Sequence, residues 1–500
     1  MNQNHPLLRT AGCSAVLAAA LWSAPLAPAA VAPPEPCGAV PSARQLAWHE
    51  LEFYGFIHFT VNTFTDKEWG YGDESPDVFN PTAFDARQWA KVARAAGMKG
   101  LIITAKHHDG FCLWPSAFTE HSVKKSRWQE GKGDAVKALS EACRKEGLKF
   151  GVYLSPWDRN HAAYATPEYL TYYRRQLREL LTQYGPIFEV WFDGANGGDG
   201  FYGGAKEKRR IDNRTYYDWS TTRALVRELQ PQAVMFSDGG PDIRWVGNES
   251  GWAYATNWMA MNVPEVYPGM AGYEKFAPGR PDGSDWCPPE VDVSIRPGWF
   301  YHPAEDSKVK TPAELLEIYY NSVGRGANLL LNLPPDRRGL IHETDAAHLR
   351  EFRRLLDATF KTDLARKANA TATNHRGNSS TYAAGHLTDA KPDTCWATDD
   401  GVTTASATLA FERPARFDHV VIQEYLALGQ RVAAWSVEAE VDGQWKTLGT
   451  GSTLGYKRIL RCDPVTAARV RLNILQARAC PMISTLGLYL SPAEGSAKTR

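Results

Sequence analysis

The chain has 500 residues, enough for one large domain and a smaller one. Lys plus Arg equals Asp plus Glu at 56 each, so no global charge points to nucleic acid or to an anionic membrane. Apolar residues make up 43% and aromatic ones 11%, with 17 Trp and 21 Tyr, which marks a globular chain rich in flat side chains of the kind that stack on sugar rings.

In chain order, residues 1–32 carry Arg9, an Ala-rich apolar run over 14–22, and Ala30-Val31-Ala32 before Pro33-Pro34. This is the pattern of a signal peptide with an Ala-x-Ala cleavage site, so an exported protein, periplasmic or secreted, is expected. Its apolar core is too short to span a bilayer. No later segment approaches about 18 uninterrupted apolar residues, so the chain is not expected to span a membrane. Of the eight Cys, Cys13 falls in the leader. No Cys-x-x-Cys or His-x-x-x-His spacing suggests a metal site, and neither metal nor organic cofactor is expected. Export permits disulfides, and Cys462 with Cys480, both at ends of C-terminal strands, is the expected pair.

From residue 51, apolar strand candidates at 53–59, 100–104, 149–154, 187–192, 233–236 and 327–333 alternate with amphipathic helices at 84–96, 133–146, 167–184, 216–229 and 312–323. Strands separated by single helices build parallel sheet through right-handed crossovers. Several of these strands end in polar or aromatic clusters: His58, His107-His108-Asp109, Ser155-Pro156-Trp157, Asp193 and Ser237-Asp238. The pattern predicts an α/β fold, a (β/α)8-like TIM barrel with its chemistry on one face. A doubly wound sheet would carry a Gly-rich phosphate loop, and no Gly-x-Gly-x-x-Gly follows a strand. Residues 249–312, rich in Trp, Tyr, Pro and Gly, read as long rim loops over two weakly formed strands. Beyond 364, short alternating strands at 407–411, 419–424, 434–441, 469–474 and 483–489 predict an all-β sandwich, with the linker near 358–370. The expected organisation is a leader over 1–32, a barrel over 40–360 and a sandwich over 365–492.

The chemistry gathers around 186–196, where β-branched and aromatic residues run into Asp193 and then into glycines. This is a buried strand delivering a carboxylate to a rim. His58 closes another such strand, followed by Glu68-Trp69-Gly70, and His107-His108 follow a third. These side chains suit hydrogen bonding to sugar hydroxyls, whereas a metal would need a further ligand at the right spacing. Retaining glycoside hydrolysis requires two carboxyl groups about 5–5.5 Å apart, one attacking and one protonated. Asp193 is the candidate nucleophile. Asp238, Asp242, Glu249 and Glu290 are the candidates for the acid, and the Trp245 and Gly247 beside Glu249 offer a partly apolar setting that raises a carboxyl pKa.

Five motifs carry a resemblance to the α-L-fucosidases of glycoside hydrolase family 29: Phe56-Ile57-His58-Phe59, Asn62-Thr63-Phe64, Lys106-His107-His108-Asp109-Gly110-Phe111, Tyr153-Leu154-Ser155-Pro156-Trp157 and Glu189-Val190-Trp191-Phe192-Asp193-Gly194-Ala195. The resemblance spans about 45–360. It implies a retaining exo-fucosidase acting on terminal fucose of an oligosaccharide or glycoprotein glycan. Asp193 takes the nucleophile position, with His58, His107 and His108 in the fucose pocket; Glu68, Trp69, Tyr153 and Trp191 complete the expected substrate-binding set. Ser237-Asp238 through Asp242, with Gly247-Asn248-Glu249, is similar to the branch preferring α-1,3/1,4-linked fucose, which implies Glu249 as acid/base. Pro297-Gly298-Trp299-Phe300-Tyr301-His302 also matches, placing Trp299 against the C5-methyl face and leaving Glu290 to reach a neighbouring galactose. The C-terminal part resembles coagulation-factor type C, discoidin-like modules through Ala370-Thr371-Ala372, Asp393 with Trp396, and Trp435-Ser436-Val437-Glu438 before Gly443-Gln444-Trp445. Such a module either binds carbohydrate or packs on its catalytic partner. The rival readings are a glycan-binding barrel without turnover, hydrolysis of a related sugar such as an α-L-galactoside, and metal-dependent hydrolysis.

Overall fold

The computed structural model describes residues 31–492. The expected signal peptide lies, but for its last two residues, outside the described residues.

Eight parallel strands close into a barrel, arranged around the ring in sequence order. They are β1 (Phe53–Ile57), β2 (Gly100–Lys106), β3 (Lys149–Leu154), β4 (Glu189–Trp191), β5 (Val234–Ser237), β6 (Ile243–Trp245), β7 (Pro289–Ser294) and β8 (Asn328–Asn332). Closure is made by β8 pairing with β1, Phe53 opposite Leu329 and Phe56 opposite Asn332. Six strands coincide with the predicted runs. β7 falls in the stretch expected to hold weak strands, and β6 lies where no strand was expected. The reason is compositional. β6 has three residues, and β7 reads Pro-Glu-Val-Asp-Val-Ser, with carboxylates where an apolar run was sought.

Helices Ala86–Ala95, Ala135–Glu146, Pro167–Gln183, Trp219–Leu229 and Pro312–Asn321 answer the predicted amphipathic segments, and Glu343–Phe360 is a long helix beyond them. Two of their starts illustrate side-chain capping: Asp85 accepts the N–H groups of Arg87 and Gln88, and Thr311 forms a capping box with Glu314. Alternation along each strand divides the core in two. Val190 faces the helices, in the large cluster that includes Leu101, Ile103, Val152 and Leu329. Trp191 faces inward with Tyr54, Phe56, Ile102, Tyr153, Phe236 and Leu330. The interior is therefore filled with side chains below the rim, so a ligand can enter only from the face where the strands end.

The C-terminal part is a seven-stranded antiparallel sheet system. Two strands of 20 residues, Ala405–Glu424 and Arg458–Ala477, run through it side by side. Register shifts between Ala410 and Ala415 and between Phe417 and His419 let this pair bend, so the runs predicted at 407–411 and 419–424 form one strand. Trp396, Phe417, Ile422, Val437, Leu472 and Leu486 form its buried core. Among the described residues no helix is long and apolar enough to cross a membrane.

The expected Cys462–Cys480 disulfide is not formed, and all seven described cysteines are free thiols. Cys462 lies near the start of the strand Arg458–Ala477 and Cys480 beyond its end, so the length of that strand separates them. The Cys462 thiol donates toward the Asp418 carbonyl at 3.6 Å, whereas the Cys480 sulfur lies 3.1 Å from Arg431 Nη1.

Candidate active site

A cleft of about 280 Å³ opens at the C-terminal ends of the strands. Ten of the eleven residues assigned to the site from sequence line it: His58, Glu68, Trp69, His107, His108, Tyr153, Trp191, Asp193, Glu249 and Trp299. Glu290 does not. It is fully buried inside the barrel, where Trp191 Nε1 donates to its Oε1 at 2.8 Å and Tyr54 donates to its other oxygen. Expected to reach a neighbouring sugar, Glu290 instead anchors the indole that floors the cleft, because position 290 of β7 points inward one layer below the rim. Its proton affinity is raised by burial, as is that of the adjacent Glu189.

Asp193 stands just past the end of β4. Its Oδ2 accepts from Tyr153 Oη at 2.9 Å and its Oδ1 from the Ala195 N–H at 2.6 Å, so the carboxylate is fixed from two sides. His108 Nε2 lies 3.7 Å from Oδ2. That contact is not an ion pair, because burial lowers the His108 pKa and outweighs the attraction of Asp193.

The hydrogen bonds also set the tautomers. Ser155 Oγ spends its proton on the Trp157 carbonyl at 2.6 Å, so it must accept from His108 Nδ1 at 2.7 Å. Asn332 Nδ2 donates to the Trp299 carbonyl at 2.8 Å, which turns Oδ1 toward His58 Nδ1 at 2.9 Å. Both rings therefore keep a lone pair on Nε2, an acceptor for a hydroxyl. Burial lowers the His58 pKa to about 3 and puts that of His107 well below the usual imidazole range, with the neighbouring His108 adding to the effect. Nδ1 of His107 is buried and has no hydrogen-bond partner among the described residues. The three imidazoles form a neutral wall whose ring nitrogens are able to bond hydroxyls.

Trp69, 53% exposed, stands edge-on to His108 at the mouth, with ring centroids 5.2 Å apart. Trp299 tilts against His58 at 5.1 Å. Glu68 has a second duty beside lining the cleft. Its oxygens accept from the backbone N–H groups of Trp299 at 2.8 Å and Phe300 at 3.1 Å, and lie 2.6 Å from His302 Nε2. A Cβ at Gly298 would lie 2.5 Å from Glu68 Oε1, which explains the glycine before Trp299.

Glu249 is exposed at the mouth, on the loop after β6, and Trp299 Nε1 donates to its Oε2 at 3.0 Å. Partial desolvation raises its pKa, the nearby charges of Asp193 and Glu68 push the same way, and the Trp299 bond opposes them. Two further carboxyls line the cleft. Asp238, weighed above as an acid, is pushed up to about 7 by burial and by Asp193, and accepts from the Gly269 N–H at 2.7 Å. Asp292 was missed. It accepts from Trp245 Nε1 at 2.9 Å and is held well above the usual carboxylate range by burial, then by Glu249 and Glu290. Strand alternation from Glu290 would have found it, had β7 been recognised. Asp242, the remaining acid candidate, is turned away from the cleft to accept from Arg227 at 2.6 Å and from the Met235 N–H at 2.8 Å.

A barrel with carboxyl groups of differing proton affinity at its C-terminal rim, set among neutral imidazoles and indoles, has the architecture of a glycoside hydrolase. The comparisons make this specific. The α-L-fucosidase family profile matches residues 39–359, and the F5/8 type C domain profile matches residues 369–486. α-L-Fucosidase 1 of Arabidopsis thaliana is 43% identical over 473 residues, covering 93% of this chain and 90% of its own. The crystal structure of a glycoside hydrolase 29 family member from a rumen bacterium superimposes with a TM-score of 0.82 at 45% identity, over 93% of this chain and 79% of that one. A Ruminococcus gnavus GH29 fucosidase in complex with fucose gives 0.83 at 33% identity, over 93% and 98%. The chain belongs to the α-L-fucosidase family, glycoside hydrolase family 29, with an F5/8 type C domain at its C-terminal end.

Proposed function

We propose that this enzyme is a retaining exo-α-L-fucosidase that removes terminal α-1,3/1,4-linked fucose by double displacement. Asp193 is its nucleophile and Glu249 its acid/base. One observation carries the reading: these two carboxyls, remote in sequence, line one cleft, the first held by two donors and the second biased toward its protonated form. Asp193 attacks the anomeric carbon while Glu249 protonates the departing oxygen. Glu249 then takes a proton from water, which attacks from the face the oxygen left, and two inversions give retention. The Nε2 lone pairs of His58 and His108 accept sugar hydroxyls, and Trp299 covers the C5-methyl face, orienting the ring for attack. No step draws on a cofactor. The leader pattern at 1–32 makes export to the periplasm or medium part of the proposal.

The test is chemical rescue. Asp193→Ala should abolish turnover with the fold intact, and added azide should restore it with β-fucosyl azide as product; an α-product, or loss of folding, would overturn the assignment. Faster cleavage of a Lewis-type trisaccharide than of 4-nitrophenyl α-L-fucoside supports the linkage preference, and the reverse order refutes it.

A further inference from the structure

The loop carrying Glu249 leaves β6 at Trp245, turns at Gly247 (φ 90°) and Gly251 (φ 83°), and returns to the body along 252–259. Trp299 is the only side chain bonded to Glu249 among the described contacts, so the position of its carboxyl depends on where the returning limb is fixed. Ala253 is tied to the barrel, its N–H to the Asn321 carbonyl at 2.8 Å and its carbonyl to Arg325 Nη1 at 2.7 Å.

Beyond Ala253 the limb is shared: Arg244 donates to Asn257 Oδ1 at 3.2 Å and to the Trp258 carbonyl at 2.8 Å from the barrel side, and the C-terminal sandwich supplies further anchors. The Ala255 carbonyl accepts from Arg458 Nη2 at 3.0 Å, and the Asn257 N–H donates to Thr453 Oγ1 at 2.9 Å. Gln430 makes both of its amide bonds here: Nε2 donates to the Asn257 carbonyl at 3.2 Å and Oε1 accepts from the Met259 N–H at 2.7 Å. Arg458 Nη2 also donates to the Thr453 carbonyl at 2.7 Å, joining two of the anchors. Met259 packs between Trp286 of the barrel and Leu426 of the sandwich. Gln430 and Thr453 are 3% and 0% exposed, so these backbone groups are paired away from water, where a lost partner is costly.

We propose that the sandwich acts in catalysis as a positioning element, with Gln430, Thr453 and Arg458 holding the limb that sets Glu249 against the leaving oxygen. The proposal rests on the reading of Glu249 as acid/base. Release of these anchors lets the loop tip drift, and a displacement of about 1 Å costs a catalytic group on the order of 100-fold. In the first displacement, the step kcat/KM reads, the loss falls on the sugar substrate alone, since fluoride departs from carbon without a proton and a sugar oxygen does not; the second displacement is common to both.

The experiment uses the full chain with Thr453→Val, Gln430→Leu and the two combined, assayed on α-L-fucosyl fluoride and on a Lewis-type trisaccharide. For the double variant kcat/KM on the trisaccharide should fall about tenfold to 100-fold, through kcat, with kcat/KM on the fluoride within about twofold of the parent. If the double variant does not fold, Thr453→Val alone, which removes one hydroxyl at constant shape, reads the same split. Equal loss on both substrates, or no loss on either, would overturn the proposal, as would a raised KM at unchanged kcat, which would make the sandwich a binder of the aglycone. Glu249→Ala run beside them separates the two claims. If it lowers kcat/KM for both substrates equally, the acid assignment fails; if it splits them and the anchor variants do not, only the positioning role falls.

Discussion

Gly194 follows the nucleophile directly, and the space its side chain would need is occupied. A Cβ there would lie 2.2 Å from Asp238 Oδ2 and 2.5 Å from Oδ1, where real Cβ contacts essentially never fall below 3.0 Å. Gly194 has no left-handed φ, so Gly194→Ala strains the site through this contact alone. Relief requires about 1 Å of movement. If Asp238 yields, it gives up its bond from the Gly269 N–H, a loss of about 1–3 kcal/mol. If the chain yields, Asp193 shifts relative to Tyr153, and about 1 Å at the attacking atom costs on the order of 100-fold, or about 2.7 kcal/mol of barrel-held orientation. We expect kcat/KM on a fucoside to fall by about 10-fold to 100-fold with the fold retained. Asp238→Ala removes the obstructing carboxylate, so Gly194→Ala should cost at least about tenfold less in that background than in the parent. Full activity in the folded single variant, or the same penalty in both backgrounds, would refute the reasoning.

Two further outcomes follow from the electrostatics. Trp299→Phe removes the donor that stabilises ionised Glu249, so Glu249 should hold its proton more tightly and the alkaline limb of the kcat/KM profile should move to higher pH; a shift to lower pH would exclude Glu249 as the acid. His49 is fully buried, stacked on Tyr456, and burial lowers its pKa to about 3. The unfolded chain takes up this proton below about pH 6.5 and the native one does not, so the contribution is complete above that value and is lost as pH falls toward 3, at about 1.4 kcal/mol per pH unit. Replacement by Phe should flatten the acid dependence of urea midpoints by one proton; an unchanged slope would place the buried charge cost elsewhere.

Much of this is legible in the amino-acid chain alone. Apolar strands ending in His58, His107-His108 and Asp193 identify a barrel and its active face, because alternation and strand length are local properties that the burial of a parallel sheet enforces. β6 and β7 were not legible in the same way. β7 carries Glu290 and Asp292 inward, and a strand with carboxylates at core positions looks like a loop until Trp191, Tyr54 and Trp245 are seen donating to them.

The sequence by itself therefore determined the fold class, the family and ten residues of the cleft, since each is encoded in a short run whose chemistry does not depend on what lies opposite. Only the tertiary structure decided that Glu290 holds Trp191 from below, that Cys462 and Cys480 stand apart, and that residues 430–458 grip the loop of Glu249. Those outcomes turn on which groups meet across closed sheets and domain boundaries, and hydrogen-bond geometry between segments so far apart in the chain leaves no periodicity to read.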